Sequence, residues 1–340
     1  MWKGILRVGV AAALMTFSAL GADAPAAQTG VLPGKQLRVV VGMPPGGGVD
    51  AYARLMQRHL VRHLPTPLPI VVQNVPGAGS LRSVMTLANS WQEPDVTIAT
   101  FSSSLLTEAI TYPDRIKVDF RDFAFLGNVA EDSRVCFVTS RAGVAGLDAL
   151  KSRGPLTFGA TAPGTSGNLD TAILQKLLGV NLKLVLGYAG SAEKRLALER
   201  GEIDGDCAGA TSLPEDWLKT RKIHLLVRFS PVLAPGVDAA VPFGGTLLTD
   251  EGQRKVYDFL VTPQQLGRLF MVSRKIAPGT IATLRSAFEA TVRDEEFIRD
   301  AVSMGLLVTP MDGAAVDRRI ASMYETPADL VARARSIAGD

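Results

Sequence analysis

Residues 37–50 read Leu-Arg-Val-Val-Val-Gly-Met-Pro-Pro-Gly-Gly-Gly-Val-Asp, the pattern of a strand, a loop and the beginning of a helix. The apolar run is typical of a buried strand. Gly46, Gly47 and Gly48 follow it, and their main-chain N–H groups can approach a ligand closely because no Cβ atoms intervene. The helix predicted from Asp50 turns its positive dipole end and free N–H groups toward the same loop. This segment therefore favours an anion at the carboxyl end of a strand.

Strand, loop and helix alternate along the rest of the chain. Strands are predicted at 36–41, 69–73, 96–100, 123–129, 135–139, 156–159, 182–186, 203–208 and 223–229. The last predicted helix covers 313–337. Such alternation is typical of mostly parallel sheets covered by helices, an α/β fold. Because 340 residues are too many for one ordinary core, we expect two lobes, with 27–130 and 267–340 in the first and 131–266 in the second.

Composition narrows the classes of function. The chain is 47% apolar and 20% charged, which suits a folded protein, and its formal net charge of +3 gives no reason to expect a nucleic-acid partner. Only two cysteines, Cys136 and Cys207, are present. That number excludes a zinc ribbon, an iron–sulfur protein and a disulfide-dense scaffold. We expect no cofactor and no resident metal.

The first 26 residues have the order of a secretory signal peptide. Lys3 and Arg7 form a basic start, an apolar run of 13 residues covers 8–20, and small residues follow. A membrane anchor is the alternative, but the run falls short of the roughly 20 residues that a span needs. Cleavage could follow either Gly21 or Ala26. The sequence therefore predicts an exported protein.

Three further loops between strands and helices carry hydrogen-bond donors. Residues 160–168 contribute the hydroxyl groups of Thr161, Thr165 and Ser166, and the loops at 102–104 and 187–191 are also candidates. None of these loops contains Lys or Arg, so we expect a small carboxylate held mainly by neutral N–H and O–H donors. For any single loop the alternative is that its glycines make turns and its polar side chains cap helices.

Catalytic and metal-binding patterns are weak, and no catalytic or metal-ligating residue is predicted. The glycine loops lack the Gly-Lys-Ser/Thr ending of a phosphate loop and the spacing of a dinucleotide fingerprint. His59 and His63 lie four residues apart on a helix but have no obvious third ligand. No Gly-x-Ser-x-Gly motif occurs. A binding protein is expected, and a secreted hydrolase stays the weaker alternative.

Two motifs resemble the beginning of the tripartite tricarboxylate transporter receptors, the Bug/TctC family: residues 37–50 and Val71-Val-Gln-Asn-Val-Pro-Gly-Ala-Gly79. Looser matches follow in order at 158–168, 187–191 and 200–204. The resemblance implies two lobes of the type II periplasmic-binding-protein kind, each a mostly parallel sheet flanked by helices, joined by crossing strands. It also implies a periplasmic receptor that captures a small carboxylate-bearing solute in the cleft between the lobes.

The resemblance implies ligand contacts from the loop after the first strand and from a loop of the second lobe, often through bridging waters. With the donors named above and one aromatic ring, the predicted ligand-binding residues are Pro45, Gly46, Gly47, Gly48, Asp50, Ser102, Ser103, Thr161, Gly164, Thr165, Ser166, Asn168, Tyr188 and Gly190. The chain departs from the family's pattern at Val75, where Arg is common, and at Ala189, where Lys is common. Fewer basic residues near the cleft weaken the case for a tricarboxylate and leave mono-, di- and aromatic carboxylates open.

In the fold that the resemblance implies, the predicted strands holding Cys136 and Cys207 run antiparallel side by side. A disulfide and two separate buried thiols are both open. The receptor is expected to be a monomer that is read by a membrane permease. The alternative is a sensory adaptor, read by a sensor kinase, that binds solute without transporting it.

Overall fold

The computed structural model describes Met1 and residues 32–339, so the predicted signal peptide lies outside the described residues beyond Met1. In this part of the chain, no helix combines the length and the apolar character that crossing a bilayer requires.

A mixed sheet forms the centre of the first lobe. Its strands are β1 (Leu37–Val41), β2 (Ile70–Asn74), β3 (Val96–Thr100), β4 (Phe123–Asn128), β10 (Leu269–Ser273) and β11 (Met311–Asp312). Their order across the sheet is β11-β4-β10-β3-β1-β2. Strand β1 pairs in parallel with β2 and β3, whereas β10 runs antiparallel between β3 and β4.

A second sheet forms the centre of the second lobe. Its strands are β5 (Arg134–Thr139), β6 (Leu156–Gly159), β7 (Leu182–Val185), β8 (Gly205–Gly209) and β9 (Ile223–Arg228), in the order β7-β6-β8-β5-β9. Strands β7, β6 and β8 are parallel, and β5 runs antiparallel to β8 and β9. The predicted α/β class with two helix-flanked sheets is therefore confirmed.

Helices cover the faces of both sheets. They are α1 (Gly48–Leu60), α2 (Leu81–Asn89), α3 (Ser104–Thr111), α4 (Leu147–Lys151), α5 (Ser166–Lys176), α6 (Ser191–Arg200), α7 (Glu215–Lys219), α8 (Glu251–Val261), α9 (Pro278–Arg293), α10 (Glu295–Ser303), α11 (Gly313–Tyr324) and α12 (Ala328–Ala338). The prediction of one helix over 313–337 is wrong, because the structure has two helices in this range, α11 and α12, with a break between them. Pro327 explains the break, since it has no N–H to donate and disfavours helical geometry at the residue before it.

The first sheet has a separate apolar core on each face. Ile98 packs into one core and its neighbour Ala99 into the other, and Phe125 and Leu126 on β4 divide in the same way. Strands buried on both faces read as continuous apolar runs. Residues 39–41 of β1, three consecutive buried valines, have this character for that reason.

Two antiparallel segments carry the chain between the lobes. Residues 129–133 lead from β4 to β5, and residues 262–268 return it to β10. The Val129 N–H donates to the Arg268 carbonyl at 3.0 Å, and the Asp132 N–H donates to the Gln264 carbonyl at 2.8 Å. Helix α12 lies near the end of the chain yet packs into the core of the second lobe through Ala334. The exact division of the chain into lobes stays a prediction.

Candidate functional site

Loops that follow four parallel strands meet at one cavity between the lobes. These loops follow β1 and β3 in the first lobe and β6 and β7 in the second. The cavity volume is about 80 Å³, and its lining residues are Met43, Gly47, Gly48, Val49, Ser102, Ser103, Asp132, Arg134, Thr161, Thr165, Ser166, Gly167, Ser191, Lys194, Cys207, Ala208, Gly209, Ser212 and Arg268. Ligands of open α/β sheets bind at this end of the strands.

The cavity also collects the N-terminal ends of helices. Helices α1, α5 and α6 begin at the lining residues Gly48, Ser166 and Ser191. Helix α3 begins at Ser104, directly after the lining residues Ser102 and Ser103. The first N–H groups of a helix have no intrahelical acceptor, and the dipole adds partial positive charge there. Four such ends converging on one space favour a bound anion.

Seven of the fourteen predicted ligand-binding residues line this cavity. They are Gly47, Gly48, Ser102, Ser103, Thr161, Thr165 and Ser166. The two lobes contact each other here, since the Ser102 hydroxyl of the first lobe lies 3.2 Å from the Ser166 hydroxyl of the second. One ligand at this position would therefore touch both lobes.

The other predicted residues of the first lobe lie behind the cavity wall. Pro45 and Gly46 are exposed, and Asp50 is buried. The Asp50 carboxylate accepts hydrogen bonds from the Gly46 N–H at 3.0 Å, from Arg54 at 3.0 Å and from Asn74 at 2.8 Å. Burial opposes ionisation, but these donors lower the pKa of Asp50 below its usual value. Asp50 thus shapes the glycine loop and does not line the cavity.

The remaining predicted residues of the second lobe also face elsewhere. The Gly164 N–H donates to the Asn168 side chain at 3.2 Å, which closes the loop on itself. Tyr188 packs beside Gly159, and Gly190 lies against Pro44 of the opposite lobe. Gly190 is thus a contact between the lobes that does not line the cavity.

Three buried cations in the cavity wall were missed by the sequence analysis. Arg134, Lys194 and Arg268 all line the cavity, and each pairs with a buried aspartate. The expectation of a carboxylate held mainly by neutral donors did not include these cations. It considered only the loops, whereas the cations lie on β5, on α6 and in a crossing segment.

Each of the three guanidinium nitrogens of Arg134 has a protein acceptor. Its Nε donates to Asp170, its Nη1 to Asp132 at 3.2 Å and its Nη2 to the Cys207 carbonyl at 3.1 Å. Burial would raise the pKa of Asp132, but Arg268 and Arg134 together lower it. Asp170 pairs with only one guanidinium, and burial raises the pKa of its carboxyl to about 6. Arg134 therefore joins the network and has no nitrogen left without a partner.

Lys194 and Arg268 have fewer protein acceptors than Arg134. Lys194 donates to Asp206 at 2.5 Å, and burial raises the pKa of the Asp206 carboxyl against the opposing effect of Lys194. Arg268 donates to Asp132 at 2.7 Å and to the Gly267 carbonyl at 2.8 Å, while its buried Nε has no partner.

A helical pattern could have revealed Lys194. It lies three and four residues before Ala197 and Leu198, the buried residues of α6, and so shares their face. The neighbouring charges of the segment Ser191-Ala-Glu-Lys-Arg195 concealed this position, since such a run is usually solvated. Asp206 gave a second signal, because it is a charge inside a fully buried strand.

A disulfide joins Cys136 and Cys207 next to the cavity. The two residues face each other across the antiparallel pair β5 and β8, and both are fully buried. The Cys207 carbonyl holds Arg134, as described above, so the disulfide and the buried network share a strand.

Other candidate chemistry lies away from this cavity. His59 contacts Asp300 at 2.8 Å and His63 contacts Asp294 at 3.0 Å, as partners of single carboxylates. Within the described residues, no group of three or more His, Cys, Asp or Glu side chains could hold a metal ion. A larger cavity of about 400 Å³ on the second lobe includes Trp217 and Ile223 but none of the predicted site residues.

Comparison of the amino-acid sequence with known proteins identifies relatives that are similar to part of this chain. No family model matches the chain. BugT of Bordetella pertussis is 27% identical over 183 residues, which are 51% of this chain and 54% of BugT. A UPF0065 protein from the tcbD–tcbE intergenic region of a Pseudomonas strain is 28% identical over 218 residues, 63% of this chain and 62% of the relative. The chain therefore matches less than two thirds of the length of either relative.

Three solved structures are similar to this chain over most of its length. The periplasmic binding protein BugD superposes with a TM-score of 0.71 at 18% identity, covering 89% of this chain and 98% of BugD. The resemblance to the Bug/TctC family is confirmed. Rhodopseudomonas palustris MatC, solved with bound malate, has a TM-score of 0.69 at 18% identity, covering 87% of this chain and 98% of MatC. An R. palustris protein solved with adipate has a TM-score of 0.67 at 19% identity, covering 89% and 97%. At these identities the likeness shows that the fold is shared.

Proposed function

We propose that the chain is a periplasmic receptor that binds a small carboxylate-bearing solute between its lobes and presents it to a membrane permease. One observation carries the proposal: donors from both lobes and two cations with unused N–H groups share a single cavity. The predicted signal peptide and the periplasmic relatives support export. The malate and adipate held by two structures of the same fold support a carboxylate ligand.

One carboxylate of the solute, called the first carboxylate from here on, is assigned to the place where the N-terminal ends of α1 and α5 meet. Gly47 and Gly48 offer main-chain N–H groups from the first lobe, and Ser166 offers a hydroxyl group and a helix N-terminus from the second. Arg268 lies beside Gly48 and adds a full positive charge. Hydrogen bonds to a charged group of this kind contribute about 1.5–3 kcal/mol each.

Binding and lobe closure are coupled in this proposal. The crossing segments 129–133 and 262–268 act as the hinge, and the ligand favours the closed form because only there can both lobes contact it. The Ser102–Ser166 contact at 3.2 Å marks a closed cleft. A permease would recognise this closed form.

We infer that the chain has no hydrolase activity. Among the described lining residues of the cavity there is no histidine to act as a base for Ser102 or Ser166. The Ser102 hydroxyl instead contacts the hydroxyl groups of Ser104 at 2.9 Å and Ser166. A serine nucleophile needs a positioned base within hydrogen-bond reach, so the arrangement supports binding.

A thermal-shift panel tests the proposal. The purified mature protein is heated with mono-, di- and aromatic carboxylates, and with the neutral amides of the same acids as controls. At least one acid should raise the midpoint, because a ligand that binds the native state stabilises it by mass action, whereas its amide should not. A panel in which no acid shifts the midpoint, or in which the amides act equally well, would reject the proposal.

Transport and sensing are separated by genetics. Deleting the gene should abolish uptake of the acid that gives the largest shift if the chain is a transport receptor. Retained uptake with a lost transcriptional response would instead identify a sensory adaptor.

A further inference from the structure

Lys194 and Arg268 bring positive charge to two different walls of the cavity. Lys194 lies on α6 of the second lobe, where Ser191 and Ser212 also line the space. Arg268 lies in the second crossing segment, with a guanidinium nitrogen within 3.0 Å of the position that a Cβ on Gly48 would take. The two cations therefore serve different ends of one site.

Arg134 and Asp132 separate these two cations along the floor of the cavity. Arg134 and Lys194 each have a nitrogen 3.6 Å from the position that a Cβ on Gly167 would take. On its other side Arg134 shares the Asp132 carboxylate with Arg268. The contacts along the floor thus run in the order Lys194, Arg134, Asp132 and Arg268, so that two side chains stand between the two cations.

Lys194 has N–H groups without a partner at its end of the cavity. Its side chain is 5% exposed, and its ammonium donates one hydrogen bond, to Asp206. An ammonium carries three N–H donors, so two have no acceptor among the described residues. Buried donors without partners are unfavourable, and Lys194 lines the cavity, where a bound ligand can supply the acceptors.

We propose that Lys194 determines specificity by binding a second carboxylate of the ligand, so that the receptor selects dicarboxylates over monocarboxylates. The assignment rests on the proposed function, which places the first carboxylate near Gly47, Gly48 and Arg268. The two unused N–H groups of Lys194 then receive the second carboxylate, with Asp206 keeping the third. A monocarboxylate leaves them unpaired.

Isothermal calorimetry with matched acids tests the assignment. The probes are succinate against butyrate and adipate against hexanoate, pairs that share a chain length and differ in one carboxylate. The test variant is Lys194→Met/Asp206→Asn, which removes both charges because removing one alone would leave the other buried and unpaired. If it does not fold, Lys194→Gln/Asp206→Asn replaces it and keeps a polar contact between the two side chains.

A matched control removes the same charges elsewhere in the second lobe. Lys222 and Asp216 form an exposed pair at 2.8 Å that does not line the cavity. Lys222→Met/Asp216→Asn makes the same two side-chain replacements as the test variant, and both variants leave the net charge of the chain unchanged. It should bind all four acids as the wild type does.

The wild type should prefer the diacid of at least one pair by about tenfold or more, as one charge-assisted contact predicts. The test variant should lose most of this preference while its affinity for the monoacid stays within about threefold. A retained preference would overturn the assignment. An equal loss of affinity for both acids would also overturn it, because Lys194 would then be part of the first carboxylate's site. A wild type that binds the acids without preference overturns this assignment alone, whereas one that binds none overturns the proposed function as well.

Discussion

Gly46, Gly47 and Gly48 have three different structural requirements. Gly46 has a φ of +80°, a left-handed conformation that side chains rarely adopt. A Cβ on Gly48 would lie 3.0 Å from a nitrogen of Arg268 and would press on it. Gly47 has an extended backbone with φ −95°, and a Cβ there would meet only the Pro44 carbonyl at 3.9 Å. Only Gly47 can therefore gain a side chain without strain or collision.

Gly47→Val is expected to block the ligand without unfolding the protein. The two methyl groups of Val would stand between the ligand and the first N–H groups of α1. Losing a charge-assisted hydrogen bond of about 1.5–3 kcal/mol lowers affinity roughly 10- to 100-fold. A thermal-shift titration should therefore show no carboxylate-induced rise, while the midpoint without ligand stays within a few degrees of the wild type.

Gly146→Val provides the matched control for this substitution. Gly146 also precedes a helix, α4, in an extended conformation, and no atom lies within 4 Å of a Cβ placed there. It does not line the cavity. This variant should keep the full carboxylate-induced shift. A shift retained by Gly47→Val would exclude the glycine loop from ligand binding.

Strands β5 and β8 hold the disulfide and the buried ionic network together. Cys136 and Cys207 are direct neighbours across these strands and close a loop of 71 residues. A cross-link over such a loop restricts the unfolded chain and stabilises a fold by about 2–4 kcal/mol. The cavity floor, which includes Cys207, gains rigidity from the same bond.

Removing the disulfide is expected to lower stability but not to abolish folding. Cys136→Ala/Cys207→Ala should reduce the free energy of unfolding by about 2–4 kcal/mol, measured by chemical denaturation. Adding reductant should destabilise the wild type and leave the double variant unchanged, which separates the bond from the loss of sulfur volume. Two free thiols in the unreduced wild-type protein, found by mass analysis, would contradict the bond itself.

Local sequence patterns predicted the helices and strands well, whereas contacts between residues far apart in the chain could not be predicted. Strand β1 was predicted because its residues 39–41 form an unbroken apolar run. The seven lining residues found in advance lie in loops that follow strands or at the first residue of the helix after such a loop. Arg268 and Asp132 are 136 residues apart in the chain and meet only through the crossing segments. No periodicity links residues so distant, and therefore the cationic wall required the structure.

The two lobes meet at contacts that would break if the cleft opened. The Ser102 hydroxyl touches the Ser166 hydroxyl, and Gly190 packs on Pro44. Behind the cavity, Glu108 of the first lobe lies against Gly164 of the second so closely that a Cβ there would collide with its carboxylate. The cavity of about 80 Å³ lies among these contacts. We therefore expect ligand entry to require the lobes to move apart.

Locking the lobes together tests that requirement. In Ser102→Cys/Ser166→Cys the sulfur atoms would replace oxygen atoms that lie 3.2 Å apart, close enough for an oxidant to join them. Stopped-flow binding of the best acid from the thermal-shift panel should slow by about tenfold or more in the oxidised protein, because association that needs a blocked opening is slow. Reductant should restore the rate, while the buried native disulfide is less accessible to it. Ser102→Cys alone should bind at the same rate with and without this oxidant. A cross-linked protein, verified by mass, that still binds at the wild-type rate would show that the solute reaches its site without any movement of the lobes.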